Sequence, residues 1–251
     1  MNIMLVGMFG HMGREVLKLA EKNTQGASVI LGVDPNTDGT DPRCFRSFAE
    51  VDPQQIAAVD CIVDFSHHSS AGELIAFALR YNKPVIVATT GHTPEEAALI
   101  RSAGEQIPVF FSANMSLGIA LLVELAKKTA AALPDAEIEI IEKHHDRKLD
   151  APSGTALMLC NAITEVRPNA YPVCGRNGQG KRTPDEIGIH AIRMGNIVGD
   201  HEVIIGTPNQ TLTLQHQAHD RALFAEGALS AAAFLKGKGA GLYTMQDIVK
   251  G

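Results

Sequence analysis

The sequence has no excess of positive charge, no long apolar run and few cysteines. Its 22 Lys and Arg face 28 Asp and Glu, a formal net charge of −6. A nucleic-acid-binding chain would carry a basic surplus, so that class is set aside. An anionic ligand must then be drawn by a local cluster of cations, not by the field of the whole molecule. No stretch approaches the ~20 apolar residues of a membrane span. No cationic lead or small-residue cleavage site precedes "NIMLVGMFG", so a secretory leader is not expected and a cytoplasmic location is. Cys44, Cys61, Cys160 and Cys174 lie far apart with no CxxC spacing; free thiols in a reducing compartment are expected. What is present is ordinary for a globular protein: of 251 residues 45% are hydrophobic and 20% charged, enough for one large domain or two small ones.

Along the chain, "NIMLVG", "SVILGVD", "VDCIVDFS", "PVIVATTG" and "IPVFFSAN" read as buried strands, apolar runs closed by turn residues. Between them, "GREVLKLAEKN", "SAGELIAFALRYN" and "TPEEAALIRSAGEQ" have helical spacing. Thr93 is the expected N-cap of the last and Pro94 its first residue. This alternation predicts an open, doubly wound parallel sheet with helices on both faces. The character then changes. A long helix, "SLGIALLVELAKKTAAAL", leads into an alternating strand, "AEIEIIEKHH", and a helix, "GTALMLCNAITEV". Residues 188–218 read as mostly antiparallel β structure with turns at Gly195-Asn196, Gly199-Asp200 and Pro208-Asn209. "RALFAEGALSAAAFLKG" returns to helix and "GLYTMQDIVKG" is a short tail. Two domains are expected. Residues 1–115 and 220–251 form an α/β domain of nucleotide-binding type. Residues 116–219 form an α+β domain with an open mixed sheet. One face of that second sheet needs a cover from helices, and the other is free to pair with another subunit.

Gly7, Gly10 and Gly13 follow the first strand and open the first helix. Glycines there permit a tight turn and a close approach of backbone to a pyrophosphate, and the helix start offers unpaired N–H groups. The pattern, Gly7-Met8-Phe9-Gly10 and then Gly13, departs from GxGxxG because two residues rather than one separate its first two glycines. Asp34 ends the second strand, 21 residues beyond Gly13 (34 − 13), at the distance of about 20 residues expected for a carboxylate on a ribose hydroxyl. Pro35 follows it with no adjacent arginine, which favours NADH over NADPH, while Arg43 and Arg46 keep the second open. Thr89, Thr90 and Asn114 lie at later strand ends, where a ligand of such a sheet sits.

A second cluster, "KHHDRKLDAPSGTAL", spans residues 143–157. His144 and His145 have no companions at zinc-like spacing, and Lys143, Arg147 and Lys148 would repel a cation, so no metal is expected. Ser153 or Thr155 can cap the helix that follows, and Gly154 lets a ligand approach its free N–H groups. Beside that cradle, lysine and imidazole make a site that binds carboxylates and moves protons near neutrality.

These residues resemble the 4-hydroxy-tetrahydrodipicolinate reductase (dihydrodipicolinate reductase) family of diaminopimelate and lysine biosynthesis. "EKHHDRKLDAPSGTAL" carries most of the likeness. "VGMFGHMGRE", "VDFSHHSS", "VATTGH", "SANMSLGIALL", "VGDHEVIIGTPNQTLTLQHQAHDRALFAEGAL" and "GLYTMQDIV" extend it over essentially the whole chain. The resemblance implies a Rossmann-type domain joined to a substrate-binding and oligomerisation domain, which close on the substrate, usually in a homotetramer. It implies reduction of a cyclic dicarboxylated imine to tetrahydrodipicolinate by NADH or NADPH. By position, His144 is implied as the acid/base residue and Lys148 as the proton donor. His145, Ser153, Gly154 and Thr155 are implied at the substrate. Gly7, Met8, Phe9, Gly10, His11, Met12, Asp34, Ala88, Thr89, Thr90, Ser112, Ala113, Asn114 and Met115 are implied at the cofactor, with Arg221 as a further contact. Three departures stand out. Asp146-Arg147 replaces a frequent Arg-His, Ala88 replaces a frequent glycine, and "VDPN" lacks the basic residue that often follows the acidic one. Another amino-acid dehydrogenase on the same first domain, such as an aspartate dehydrogenase, shares the glycine loop and Asp34 but not the His-His…Lys…Ser-Gly-Thr run. A non-catalytic NAD-sensing protein would need no proton carriers.

Overall fold

The structure is a computed structural model that describes residues 1–251. In chain order it runs β1 (Asn2–Val6), α1 (His11–Glu21), β2 (Ser28–Val33), β3 (Cys44–Phe45), α2 (Pro53–Ile56), β4 (Cys61–Asp64), α3 (Ala71–Arg80), β5 (Val85–Val87), α4 (Pro94–Ala103) and β6 (Pro108–Phe111). Then come α5 (Leu117–Ala132), β7 (Glu137–His144), α6 (Gly154–Thr164), β8 (Tyr171–Cys174), β9 (Glu186–Arg193), β10 (Gly199–Thr207) and β11 (Gln210–Ala218). Last are α7 (Ala222–Leu235), β12 (Gly241–Tyr243) and α8 (Met245–Lys250). The chain divides into one compact unit of Met1–Ser116 with Arg221–Gly251, and a second of Leu117–Asp220.

The first unit holds a seven-stranded sheet in the order β12-β6-β5-β4-β1-β2-β3, with every pairing parallel. The central strands are buried on both faces, which is why they read as continuous apolar runs rather than alternating ones. Met4, Val6, Leu31 and Ile62 pack with Leu74, Ile75 and Ile100 of α3 and α4. Phe110 of β6 meets Phe234 of α7 edge-on at 6.3 Å, and Phe234 in turn meets Tyr243. Helix α4 starts as expected: the Thr93 hydroxyl accepts from the Glu96 amide, the Glu96 carboxylate accepts from the Thr93 amide, and Pro94 opens the first turn. The segment expected as a tail is part of the sheet, because β12 pairs with β6 at its edge.

The second unit is a five-stranded mixed sheet in the order β11-β10-β7-β9-β8. Helices α5 and α6 supply its cover: Ile119, Leu122, Val123, Leu159 and Ile163 pack with Ile138, Ile140, Ile187, Ile189, Val203 and Ile205. The expectation of a mostly antiparallel segment needs correction. Strands β10 and β11 form a hairpin through Pro208-Asn209, and β10 runs antiparallel to β7. Strand β9, however, lies parallel to β7 on its other side, and β8 lies parallel to β9. Gly199-Asp200 is the start of β10 rather than a turn.

Candidate functional site

The glycine loop of the first unit is shaped by close packing. Gly7 has φ +79°, and a Cβ there would lie 2.6 Å from the Phe65 carbonyl oxygen. At Gly13 a Cβ would overlap the carbonyl of Gly7 and approach that of Met8 to 2.6 Å. The loop is thereby folded onto the first turn of α1, whose N-cap, Gly10, provides no side-chain cap. The amides that open this helix are left to a ligand. The Asp34 carboxylate, 3% exposed, accepts from the Phe9 amide at 2.8 Å and the Asn36 amide at 2.9 Å. It therefore braces the loop as well as facing the cavity beside it. That cavity, about 460 Å³, is lined by Gly7, Phe9, Gly10, Asp34, Arg46 and Ser69 among others. Loop, helix start and acidic strand end fit the pyrophosphate and ribose of a dinucleotide.

Not every residue expected at the cofactor presents its side chain. Met8 is fully buried, its sulfur lying over Gly32, and Ala88 and Met115 are buried too. Only their backbones are available to a ligand. The Ser112 hydroxyl donates to the Asn114 carbonyl, and the Asn114 side-chain oxygen accepts from the Ser116 amide, so this pair shapes the strand end. His11 and Thr90 are exposed, and Met12 is partly so. Thr89 donates to Asp64 at 2.7 Å. Asp64 went unnoticed in the sequence. Burial raises its pKa against the opposing hydrogen bonds of Ser66 and Thr89, and it anchors the C-terminal ends of β4 and β5 together.

In the second unit, β7 delivers His144 to the core face of the sheet. Its burial alternates, so Ile138, Ile140, Glu142 and His144 share one side. Glu142 is fully buried, and its carboxylate takes four donors. Oε2 accepts from His144 Nδ1 at 2.6 Å and Arg193 Nη1 at 2.8 Å; Oε1 accepts from Arg193 Nη2 at 2.7 Å and the Ser153 amide at 3.0 Å. Burial pushes this carboxyl up, but the bonds from His144, Arg193 and Ser153 prevail and hold it down at about 2. His201, on β10, stands edge-on to His144 at 5.2 Å with its Nε2 3.3 Å from Ser153 Oγ. Burial, then the neighbouring His144, drive its pKa down to about 3.

Ser153, rather than Thr155, caps α6: its hydroxyl accepts from the Ala156 amide at 3.2 Å. Gly154 then opens the helix, and apart from its chain neighbours and the helix's own backbone no atom lies within 4 Å of where a Cβ would stand. The His145 amide donates to the Ile197 carbonyl, and the Lys148 amide donates to the His145 carbonyl, closing a turn that sets Lys148 on the loop after β7. Lys148 Nζ pairs with Asp150 at 2.8 Å, a partner the sequence reading did not assign. Glu142, His201 and Arg193 each have the parity of buried apolar residues on their own strand, a signal that was readable; that Arg193 stands opposite His144 follows only from the β7–β9 register.

The family model described as dihydrodipicolinate reductase, N-terminus, matches residues 1–115, and that described as dihydrodipicolinate reductase, C-terminus, matches residues 118–249. A 4-hydroxy-tetrahydrodipicolinate reductase of Caldanaerobacter subterraneus subsp. tengcongensis is 45% identical over 251 residues, covering 99% of this chain and 98% of its own. One of Clostridium tetani is 42% identical over 97% of this chain and 95% of its own. Among solved structures, a dipicolinate-bound dihydrodipicolinate reductase from Paenisporosarcina sp. TG-14 shares the fold with a TM-score of 0.74, at 24% identity and 98% coverage of both chains. With both family models matched in order along nearly the whole sequence, the chain belongs to the dihydrodipicolinate reductase family.

Proposed function

We propose that this chain reduces 4-hydroxy-tetrahydrodipicolinate, or the dihydrodipicolinate formed from it by loss of water, to tetrahydrodipicolinate in diaminopimelate and lysine biosynthesis. The observation that carries this is the match of both halves of the family along nearly the whole chain. The family and the first-unit fold also carry the need for a pyridine nucleotide, which supplies the hydride when bound. Its pyrophosphate rests on the Gly7–Gly13 loop and the start of α1. Asp34 has acceptor capacity left for a ribose hydroxyl, which favours NADH. Arg46 and Ser47 line the same cavity and are the groups to meet a 2′-phosphate, whereas Arg43 is committed to Asp41 and the Val29 carbonyl.

The substrate carboxylates are held by the first amides of α6, by His145 and by Thr155, with Lys148 exchanging Asp150 for a carboxylate of the substrate. His144 or Lys148 then provides the proton that completes the two-electron reduction. The uncovered face of the second sheet, with Ile192 exposed and Ile141 and Ile204 partly exposed on it, suits association into a homotetramer. No helix is long and apolar enough to cross a membrane. The two dehydrogenase-like and NAD-sensing alternatives lose their ground with the family match.

Initial rates of NADH and NADPH oxidation test the reading. His144→Ala and Lys148→Ala are expected to lose ~10²–10⁴-fold in kcat, and undiminished turnover in both refutes their roles. A kcat/KM for NADPH far above that for NADH counts against the part given to Asp34.

A further inference from the structure

The buried carboxylate behind His144 has no place in the proposed reaction, yet it accepts four hydrogen bonds. We infer that Glu142, clamped by Arg193, is a positioning residue: it keeps the proton of neutral His144 on Nδ1 and so reserves Nε2 for exchange with the substrate. This rests on the reading of His144 as the acid/base residue.

Donor counting leads to it. Three of the four hydrogen bonds to Glu142 come from groups that can only donate, the two Arg193 nitrogens and the Ser153 amide. These donors keep the carboxylate ionised, and an ionised carboxylate only accepts. The 2.6 Å contact with His144 therefore requires a proton on Nδ1. Nothing else within the cluster competes for that nitrogen. His201 meets His144 ring edge to ring face and is itself neutral, its own Nε2 directed to Ser153. The other ring nitrogen is given room. On β10 the residue opposite is Gly199, where a Cβ would stand 3.1 Å from His144 Nε2. Any larger residue there would crowd the nitrogen left to react.

The same carboxylate also holds the Ser153 amide, one residue before the first amide of α6. One buried anion thus sets both the tautomer of the proton carrier and the point where the carboxylate-binding helix begins. The logic matches the aspartate behind the histidine of a serine-protease triad, where an amide replacement keeps the geometry but reverses the tautomer.

In Glu142→Gln, Arg193 and Ser153 claim the amide oxygen, which leaves the NH2 group facing His144 Nδ1. That nitrogen must then accept, and the proton moves to Nε2. Expected is a kcat loss of ~10²–10⁴-fold with KM for the dicarboxylate changed less than about threefold, because Ser153 keeps its acceptor. Because the two residues act as a unit, Glu142→Gln/His144→Ala should be no slower than His144→Ala alone. A Glu142→Gln enzyme with wild-type kcat, or additive losses in the double variant, overturns the inference. The wild-type protein decides even if the variant does not fold. In 15N NMR of histidine-labelled enzyme, read on the neutral imidazole with the resonance assigned by its loss in His144→Gln, the Nδ1–H tautomer is expected. An Nε2–H tautomer overturns the inference. Full turnover in His144→Ala instead places the failure in the assignment of the acid/base residue itself.

Discussion

His201 makes the second unit sensitive to mild acid, and the size of the effect follows from its surroundings. The imidazole is 3% exposed. Its pKa falls from 6.5 to about 3, first through burial, then through His144, with Glu142 opposing and His216 and Lys148 adding to the fall. At pH 5 the unfolded chain has taken up a proton that the folded one refuses. The unfolded state binds more protons, so stability declines as pH drops through 6.5 and goes on declining until about pH 3. Between pH 7 and pH 5 this one side chain withdraws about 2 kcal/mol, from roughly 1.5 pK units at 1.36 kcal/mol each. In His201→Gln the amide still reaches Ser153 but does not titrate. Urea unfolding of both proteins at pH 7 and pH 5, followed by far-UV circular dichroism because the chain has no tryptophan, gives the double difference. Any pH-independent packing cost of the substitution cancels. The variant should lose about 2 kcal/mol less than the wild type over that interval. Equal losses would refute the argument that His201 is held neutral by its burial.

Gly13→Ala drives a methyl into the carbonyls of Gly7 and Met8. Relief requires the loop to move at a strain of ~1–3 kcal/mol, so NADH affinity, read by fluorescence titration, should fall about 10- to 100-fold; unchanged affinity would separate the loop from the nucleotide. Asp150→Asn removes the partner of Lys148. A solvated pair of this kind is worth ~0.2–1 kcal/mol, so KM for the dicarboxylate should drop a few-fold at unchanged kcat; a rise in KM would mean that Asp150 assists binding instead.

The order of strands and helices in the first unit was legible because its parallel strands are buried on both faces and appear as uninterrupted Val, Ile and Leu. β3 and β12 were not. They have two and three residues, too few for any period, and owe their existence to a neighbour already in place. In the second unit the hairpin of β10 and β11 announced itself through Pro208-Asn209, whereas nothing local in "GIHAIR" says that its partner is β7, some fifty residues earlier. The candidate site divides along the same line. The proton carriers and the helix start are contiguous and were readable. Strand parity marks Arg193 and His201 as facing the core, but their meeting with His144 comes from register, which depends on how distant segments pair rather than on what they contain.

The sheet of the first unit is interrupted in the gene order of its parts. Helix α7, whose Phe234 covers Phe110, lies beyond the whole of the second unit. During translation at ~5–20 residues per second, the intervening hundred or so residues take roughly 5–20 s to emerge. Throughout that interval the nascent nucleotide fold stands with one oily flank bare. The segment made later, whose own helices and strands are contiguous, is free to mature before the one made first, and a chaperone that shields hydrophobic surface has its natural window there.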